Sequence, residues 1–202
     1  MDRVLHGFPI SANTHRVRLL LSLLGLAWRE ERVDLVRGEQ RGAAFRRISP
    51  AGQVPVLVED DLAIWDSHAI LVHLAQTGGG GGGDWWPATA AEQSQVLQWL
   101  FFDCNEIHNG IGYARNHKAF GVACDYDAAA ERGRAALAVL DQRLRDQAWL
   151  ALGRTTLADV ACYPMVAVAD QAGLDLAPHD GVRRWLARLE ALPGFMAMPR
   201  RM

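Results

Sequence analysis

Three short clusters of residues combine side-chain types and positions that could do chemistry. The first is Gly7-Phe8-Pro9-Ile10-Ser11-Ala12-Asn13-Thr14. A serine hydroxyl at the start of a helix can donate a hydrogen bond to an anion, and the backbone N–H groups there favour negative charge. Ser11 or Asn13 can equally act as a plain helix cap, accepting from the first-turn amides. The second cluster is Ser49-Pro50-Ala51-Gly52-Gln53-Val54-Pro55. A cis bond before Pro55 would leave the Val54 N–H and C=O to pair with an extended peptide ligand. A trans bond would make an ordinary turn into a strand, where the missing proline N–H is tolerable. The third is Trp65-Asp66-Ser67-His68-Ala69-Ile70. Asp66 suits a helix N-cap. Its carboxylate can also hold an ammonium, while Ser67 and the helix amides receive a carboxylate. That pair of partners fits an α-amino acid head group.

Other chemistries find no support. A dithiol mechanism at the first helix is excluded, because the first cysteine is Cys104. Three cysteines (Cys104, Cys124, Cys162) are odd in number and too few for a disulfide framework, and they read as buried thiols. Cys104 and His108 stand four apart, but no further ligands accompany them, so no metal site is expected. His68 and His73, five apart, do not share a helix face. A net charge of −2, from 21 basic and 23 acidic residues, lacks the footprint of a nucleic-acid binder. No apolar stretch reaches the ~18 residues of a membrane span, and Met1 to Gly7 lacks the core of a signal peptide. At 202 residues, 50% apolar and 22% charged, the chain reads as a soluble, cytoplasmic, globular protein of one large or two small domains.

The elements that must position these clusters alternate in the first part of the chain. Val4-Leu5 is a candidate strand. Val17, Leu20, Leu21 and Leu24 recur as a helix face, with Gly25 as C-cap. Glu31, Val33 and Leu35 suggest a second strand by period two. Gly38 to Arg47 is polar and irregular. Val54 to Val58 and Leu62 to Trp65 are two further strands around Asp60-Asp61, and Asp66-Ser67 opens a helix with Ile70, Leu71 and Leu74 inward. A strand–helix–strand unit followed by a hairpin and a helix is the thioredoxin-like arrangement, a fold-level inference. Six glycines, Gly78 to Gly83, read as a flexible connection. No Lys or Ser/Thr follows them in phosphate-loop spacing. Beyond them, helices are expected over Ala90 to Tyr113, Asp127 to Gln147, Val160 to Ala172 (with Pro164 inside) and Val182 to Leu192. The expected fold class is α+β: a thioredoxin-like βαβαββα domain over 1–77, a glycine-rich linker over 78–88, and an all-helical domain of about five helices over 89–202.

Taken together, the order and spacing of these clusters resemble the cytosolic glutathione S-transferase family. The features that carry the resemblance are Ser11 before Arg16-Val17-Arg18-Leu19, Gly52-Gln53-Val54-Pro55, Asp66-Ser67, Trp85-Trp86-Pro87 and Thr156-Leu157-Ala158-Asp159-Val160. The Ser11-Ala12-Asn13 segment is most similar to serine-type plant and bacterial members. The first tyrosine of the chain is Tyr113 and the first cysteine Cys104, so tyrosine-type and cysteine-type sites have no counterpart.

The resemblance implies glutathione as co-substrate and no metal. Ser11 would donate to the glutathione sulfur, with Asn13 assisting or replacing it. Val54 would pair with the cysteinyl backbone beside a cis Pro55. Asp66 and Ser67 would hold the γ-glutamyl end, with Gln53 assisting. Gln40-Arg41 would face the glycine carboxylate, where Gln40 departs from the His-Lys pair of some members. Phe8, Ile10, Asn105, His108, Ile111, Gly112 and Arg115 would approach the second substrate, a small electrophile. His108 and Arg115 would make that pocket polar; on their own they read equally as a solvated helix end. The implied activity is glutathione transfer, of the kind used in detoxification. A glutathione-dependent disulfide or peroxide reductase and a non-catalytic glutathione-binding protein are the alternatives. The implied assembly is a homodimer.

Overall fold

The computed structural model describes residues 2–78 and 85–201. The chain divides into two compact units, Met1–Gly82 with Pro193–Pro199, and Gly83–Leu192 with Arg200–Met202. Most of the expected glycine connection, residues 79–83, lies outside the described residues.

The first unit is a four-stranded mixed sheet with helices. Its elements are β1 (Arg3–Gly7), α1 (Ala12–Leu23), β2 (Arg29–Arg32), a 3-10 turn (Glu39–Arg41), α2 (Ala43–Arg46), β3 (Val56–Glu59), β4 (Leu62–Trp65) and α3 (Ser67–Thr77). The strand order is β2-β1-β3-β4, with β2 parallel to β1 and the other pairs antiparallel. Leu5 pairs with Leu57 and Leu57 with Ile64 across the sheet, and α1 packs on α3 through Val17, Leu20, Ile70, Leu71 and Leu74, all fully buried. The second strand lies nearer the N-terminus than the period-two pattern suggests. Arg29, Glu30, Glu31 and Arg32 form it, all exposed, because an edge strand needs one row of hydrogen bonds rather than a buried face. Val33 follows as the buried residue, its N–H on the Gly7 carbonyl at 2.8 Å.

The sequence expectation placed Pro193–Pro199 with the helices; the contacts place it in the first unit. The His15 Nε2 meets the Met196 carbonyl at 3.0 Å, and Ser22 Oγ donates to the Gly194 carbonyl at 2.6 Å.

The second unit holds α4 (Ala90–Phe102), a π-helical segment (Asp103–Gly112), α5 (Tyr113–Phe120), α6 (Tyr126–Asp146), α7 (Leu157–Val166), a 3-10 turn (Ala169–Ala172) and α8 (Asp180–Glu190). The expected single helix from Ala90 to Tyr113 therefore changes winding at Asp103. Gly110 explains the close packing there: a Cβ on it would lie 2.6 Å from the Gly133 nitrogen of α6. The expected buried helix from Val160 to Ala172 is two pieces, α7 and the 3-10 turn. Every residue of α7 is buried, and Thr156 with Asp159 closes a capping box at its start. The last helix begins earlier than Val182, because Asp141 of α6 accepts from the N–H groups of Gly181 and Val182 at 2.8 and 3.3 Å. No helix among the described residues is long and apolar enough to cross a membrane.

Candidate functional site

Strand direction gathers the three clusters at one end of the first unit's sheet. His6 pairs with Val56, and Val56 with Trp65. The C-terminal ends of β1 and β4 therefore lie beside the N-terminal end of β3. Ser11 follows β1, Val54-Pro55 precedes β3, and Asp66-Ser67 follows β4, so the three clusters come together at one edge although Ser11 lies far from the other two in sequence. Phe8 and Ile10, both half-buried, lie on the same loop as Ser11.

Ser11 is the N-cap of α1, and its Oγ accepts from the Thr14 N–H at 3.2 Å. The capping role and the chemical role are compatible, since an accepting hydroxyl keeps its proton for donation. The loop is tightly specified. Phe8 N–H donates to Thr14 Oγ1 at 3.3 Å, and a Cβ on Gly7 would lie 2.2 Å from Thr14 Cγ2. Asn13, half-buried in the first turn, has its Oδ1 shielded and without a hydrogen-bond donor among the described residues.

The Val54–Pro55 bond is cis, the first of the two alternatives left open by the residues. Among the described residues, the Val54 N–H and C=O meet no hydrogen-bonding partner. Just before it, buried Ser49 holds Gln53 from both sides, donating to its carbonyl at 3.0 Å and accepting its N–H at 3.2 Å. The Gln53 side chain is exposed. Gly52 has φ +63°, and a Cβ there would lie 2.9 Å from the Gln40 carbonyl, so glycine is required twice over.

Asp66 accepts from the N–H groups of His68 and Ala69 at 2.9 and 3.1 Å while holding φ +80°. A non-glycine residue in that region is sparsely populated and is characteristic of ligand sites. Ser67 is buried, and its Oγ accepts from Arg16 Nη1 of α1 at 3.2 Å. The same Nη1 lies 2.8 Å from His68 Nε2. Arg41 is exposed, and Gln40 is half-buried with its Oε1 shielded. Sequence reasoning missed Arg46, whose Nε would be 3.6 Å from a Cβ on Gly52. It also gave no role to Arg16 and Arg18. Their signal was legible as two guanidinium groups set among Val17, Leu19, Leu20 and Leu21.

The remaining expected residues lie in the second unit, on the π-helical segment and α5. Asn105 is exposed and donates to Glu106 at 2.7 Å. His108 packs edge-on against Tyr113 at 5.5 Å. Four residues, Ile111, Gly112, Arg115 and Cys104, depart from the expectation. Ile111 is fully buried, and Gly112 is buried where a Cβ would lie 3.1 Å from Met165 Sδ, so both serve packing. Arg115 is not a solvated helix end. It is 4% exposed, donates to Gln171 Oε1 at 3.0 Å and lies over the Phe120 ring at 5.1 Å. Burial pulls its pKa down to about 10, Arg200 adds to the shift, and Asp170 opposes it. Cys104, expected buried, is exposed: the segment turns Asp103 and Ile107 inward and leaves the thiol on the outer face. Cys124 is half-buried and Cys162 buried. Among the described residues, no group of three His, Cys, Asp or Glu could hold a metal ion.

Comparison with known proteins matches both units to one family. Residues 10–77 match the model described as "Glutathione S-transferase, N-terminal domain", and residues 108–193 match "Glutathione S-transferase, C-terminal domain". The "Disulfide-bond oxidoreductase YfcG" of Escherichia coli (strain K12) is 29% identical over 198 residues, spanning 92% of this chain and 89% of that protein. A crystal structure of glutathione S-transferase from Pseudomonas fluorescens superposes with a TM-score of 0.91 at 31% identity, over 98% of this chain and 99% of that one. The structure of "Ure2p in Complex with Glutathione" superposes with a TM-score of 0.86 at 27% identity, over 96% of both chains.

Proposed function

The chain belongs to the glutathione S-transferase family, and we propose that it ionises the thiol of bound glutathione at Ser11 and presents the thiolate to a small electrophile. The observation that carries this reading is the Ser11 hydroxyl, which caps α1 as an acceptor and so has its proton available for the sulfur. A free thiol titrates near ~8.5 and is mostly neutral at pH 7. A charge-assisted hydrogen bond of ~1.5–3 kcal/mol, with up to ~1 kcal/mol from the helix end, lowers that pKa by about two units. Asn13, two residues further, assists through its amide N–H or takes the role itself.

The rest of the tripeptide fits the same edge. The unpaired Val54 backbone suits the cysteinyl unit. Asp66 meets the γ-glutamyl ammonium, Ser67 its carboxylate, and Gln53 lies at the same end. Arg41, Arg46 and the Gln40 amide suit the glycine carboxylate, Arg46 replacing the emphasis on the 40–41 pair. On the first unit, Phe8 and Ile10 beside Ser11 are the groups we assign to the electrophile.

A second reading is supported by the likeness to a disulfide-bond oxidoreductase. The same thiolate would attack a mixed disulfide, displacing the partner thiolate and forming glutathione disulfide, with no protein cysteine needed. A binding protein without catalysis is the third. Calorimetry with glutathione tests the site. Titration of the bound thiol in wild type and Ser11→Ala tests its activation: a rise of about one to two units is expected, and an unchanged titration with unchanged rates would refute the role of Ser11. Assays with chlorodinitrobenzene and with a glutathione mixed disulfide separate transferase from reductase, and binding without turnover in either assay favours the third reading.

We also assign the chain to homodimers in the cytoplasm, with 78–88 as interdomain linker and 89 as the start of the helical domain. Exposed Leu62 and Trp65 on edge strand β4, and Phe101 at 65% exposure on α4, support the dimer. Light scattering of the purified chain tests it.

A further inference from the structure

We infer that Arg18, held by Glu30, is a positioning residue for the thiol-activating loop. The inference rests on the reading of Ser11 given above. Arg18 lies on α1, 6% exposed. Its Nε donates to Glu30 Oε2 at 2.7 Å, and its Nη2 bonds Glu30 Oε1, so the guanidinium is gripped on one edge by a β2 carboxylate. From the other edge Nη1 donates to the Pro9 carbonyl at 2.8 Å and Nη2 to the Phe8 carbonyl at 3.4 Å. Phe8 O is the same atom that accepts the Ser11 N–H at 3.1 Å. One carbonyl therefore ties the guanidinium to the backbone of the residue that activates the thiol.

The arrangement suits placement. A planar guanidinium with five fixed donors can hold a carboxylate and two carbonyls at set angles, which a lysine cannot. The loop from Gly7 to Ser11 is also held by the Val33 N–H on the Gly7 carbonyl, the Phe8 N–H on Thr14 and the Ser11 cap itself, so Arg18 completes a set of ties on which the hydroxyl's position depends. Positioning errors near 1 Å are enough to lose about a hundredfold in rate. Arg18 grips the Phe8 and Pro9 carbonyls rather than the Ser11 hydroxyl, and so fixes where that hydroxyl stands.

Two mechanisms would make Arg18 matter, and Glu30 separates them by sign. If Arg18 acted through its charge, Glu30→Gln would unmask that charge and lower the pKa of bound glutathione. If it acts through position, Glu30→Gln loosens the grip and raises the pKa, as Arg18→Met does. The experiment titrates the thiolate absorbance of bound glutathione in the full-length wild type, Glu30→Gln, Arg18→Lys, Arg18→Met and Ser11→Ala, with kcat and KM for glutathione in each. The expected result is a rise of about one unit in Arg18→Met, a smaller rise in Glu30→Gln and only partial recovery in Arg18→Lys, with kcat falling about tenfold at neutral pH and KM moving less. Adding Arg18→Met to Ser11→Ala should give little further shift. A lowered or unchanged pKa in Glu30→Gln overturns the inference, and that variant keeps the test open if Arg18→Met does not fold. A wild type whose bound thiol does not respond to Ser11→Ala overturns the underlying reading instead, and the inference with it.

Discussion

Arg16 Nη1 donates to Ser67 Oγ at 3.2 Å, joining α1 to the first residue of α3. The donation occupies a lone pair of the hydroxyl and leaves its proton to point elsewhere. Under the proposed function, that proton is the one Ser67 would give to the glutathione carboxylate, as Ser11 would give its own to the sulfur. Ser67→Ala is expected to weaken glutathione binding about tenfold, the loss of one hydrogen bond to a charged group, with kcat at saturating glutathione changed less than about twofold. Calorimetry and the split between KM and kcat check this. A fall in kcat at unchanged affinity would place Ser67 in the chemistry rather than in binding.

The meeting of Gly110 with Gly133 sets a steric limit in the second unit. A Cβ at 110 would stand 2.6 to 3.0 Å from backbone atoms of Arg132 and Gly133, none of which is a side chain that can swing away. Gly110→Ala is expected to destabilise by ~1–3 kcal/mol, seen as a fall of roughly 2–12 °C in Tm for a chain of this size. Calorimetric scanning measures it. An unchanged Tm would mean the π-helical segment shifts freely on α6.

His15 is 1% exposed, and its Nε2 meets the Met196 carbonyl at 3.0 Å. Burial lowers its pKa to about 4, with the Met196 carbonyl opposing and Arg18 reinforcing the shift. The unfolded chain takes up the proton near 6.5. Its contribution to stability is therefore full above pH 6.5 and is lost as the pH falls through about 4. His15→Gln should flatten this part of the stability curve. Urea unfolding from pH 7 to pH 4 should show the wild-type advantage shrinking as the solution is acidified.

Asp159 has the opposite sign. Burial raises its carboxyl to about 6, although Leu150 N–H, Thr156 N–H and Trp185 Nε1 all donate to it. The folded form then binds a proton that the unfolded form releases near 3.8, so this contribution is present below pH 3.8 and is lost as the pH rises through 6. Asp159→Asn removes the titration and leaves at least one buried donor without an acceptor, a loss of ~1–3 kcal/mol. In the same urea series its deficit should widen between pH 6 and pH 4; a deficit constant across that window would show that the group does not titrate there.

The sequence by itself determined the element order, the residue types at each site cluster and the exclusions that follow from them. Val17, Leu20 and Leu21 on one helix face, Thr156 with Asp159 as a cap, and the absence of cysteine before 104 are local facts, read over one or two turns. Tertiary structure decided what depends on contacts between distant positions. Arg16 and Arg18 look misplaced in an apolar helix until Ser67 and Glu30 arrive to receive them. The winding of 103–112, with Cys104 outside and Ile111 inside, depends on Gly133. The start of α8 depends on Asp141, and residues 193–199 join the first unit through His15 and Ser22. Each is a hydrogen bond or close approach whose partner lies many residues away, where periodicity carries no information and only the folded chain brings the two groups together.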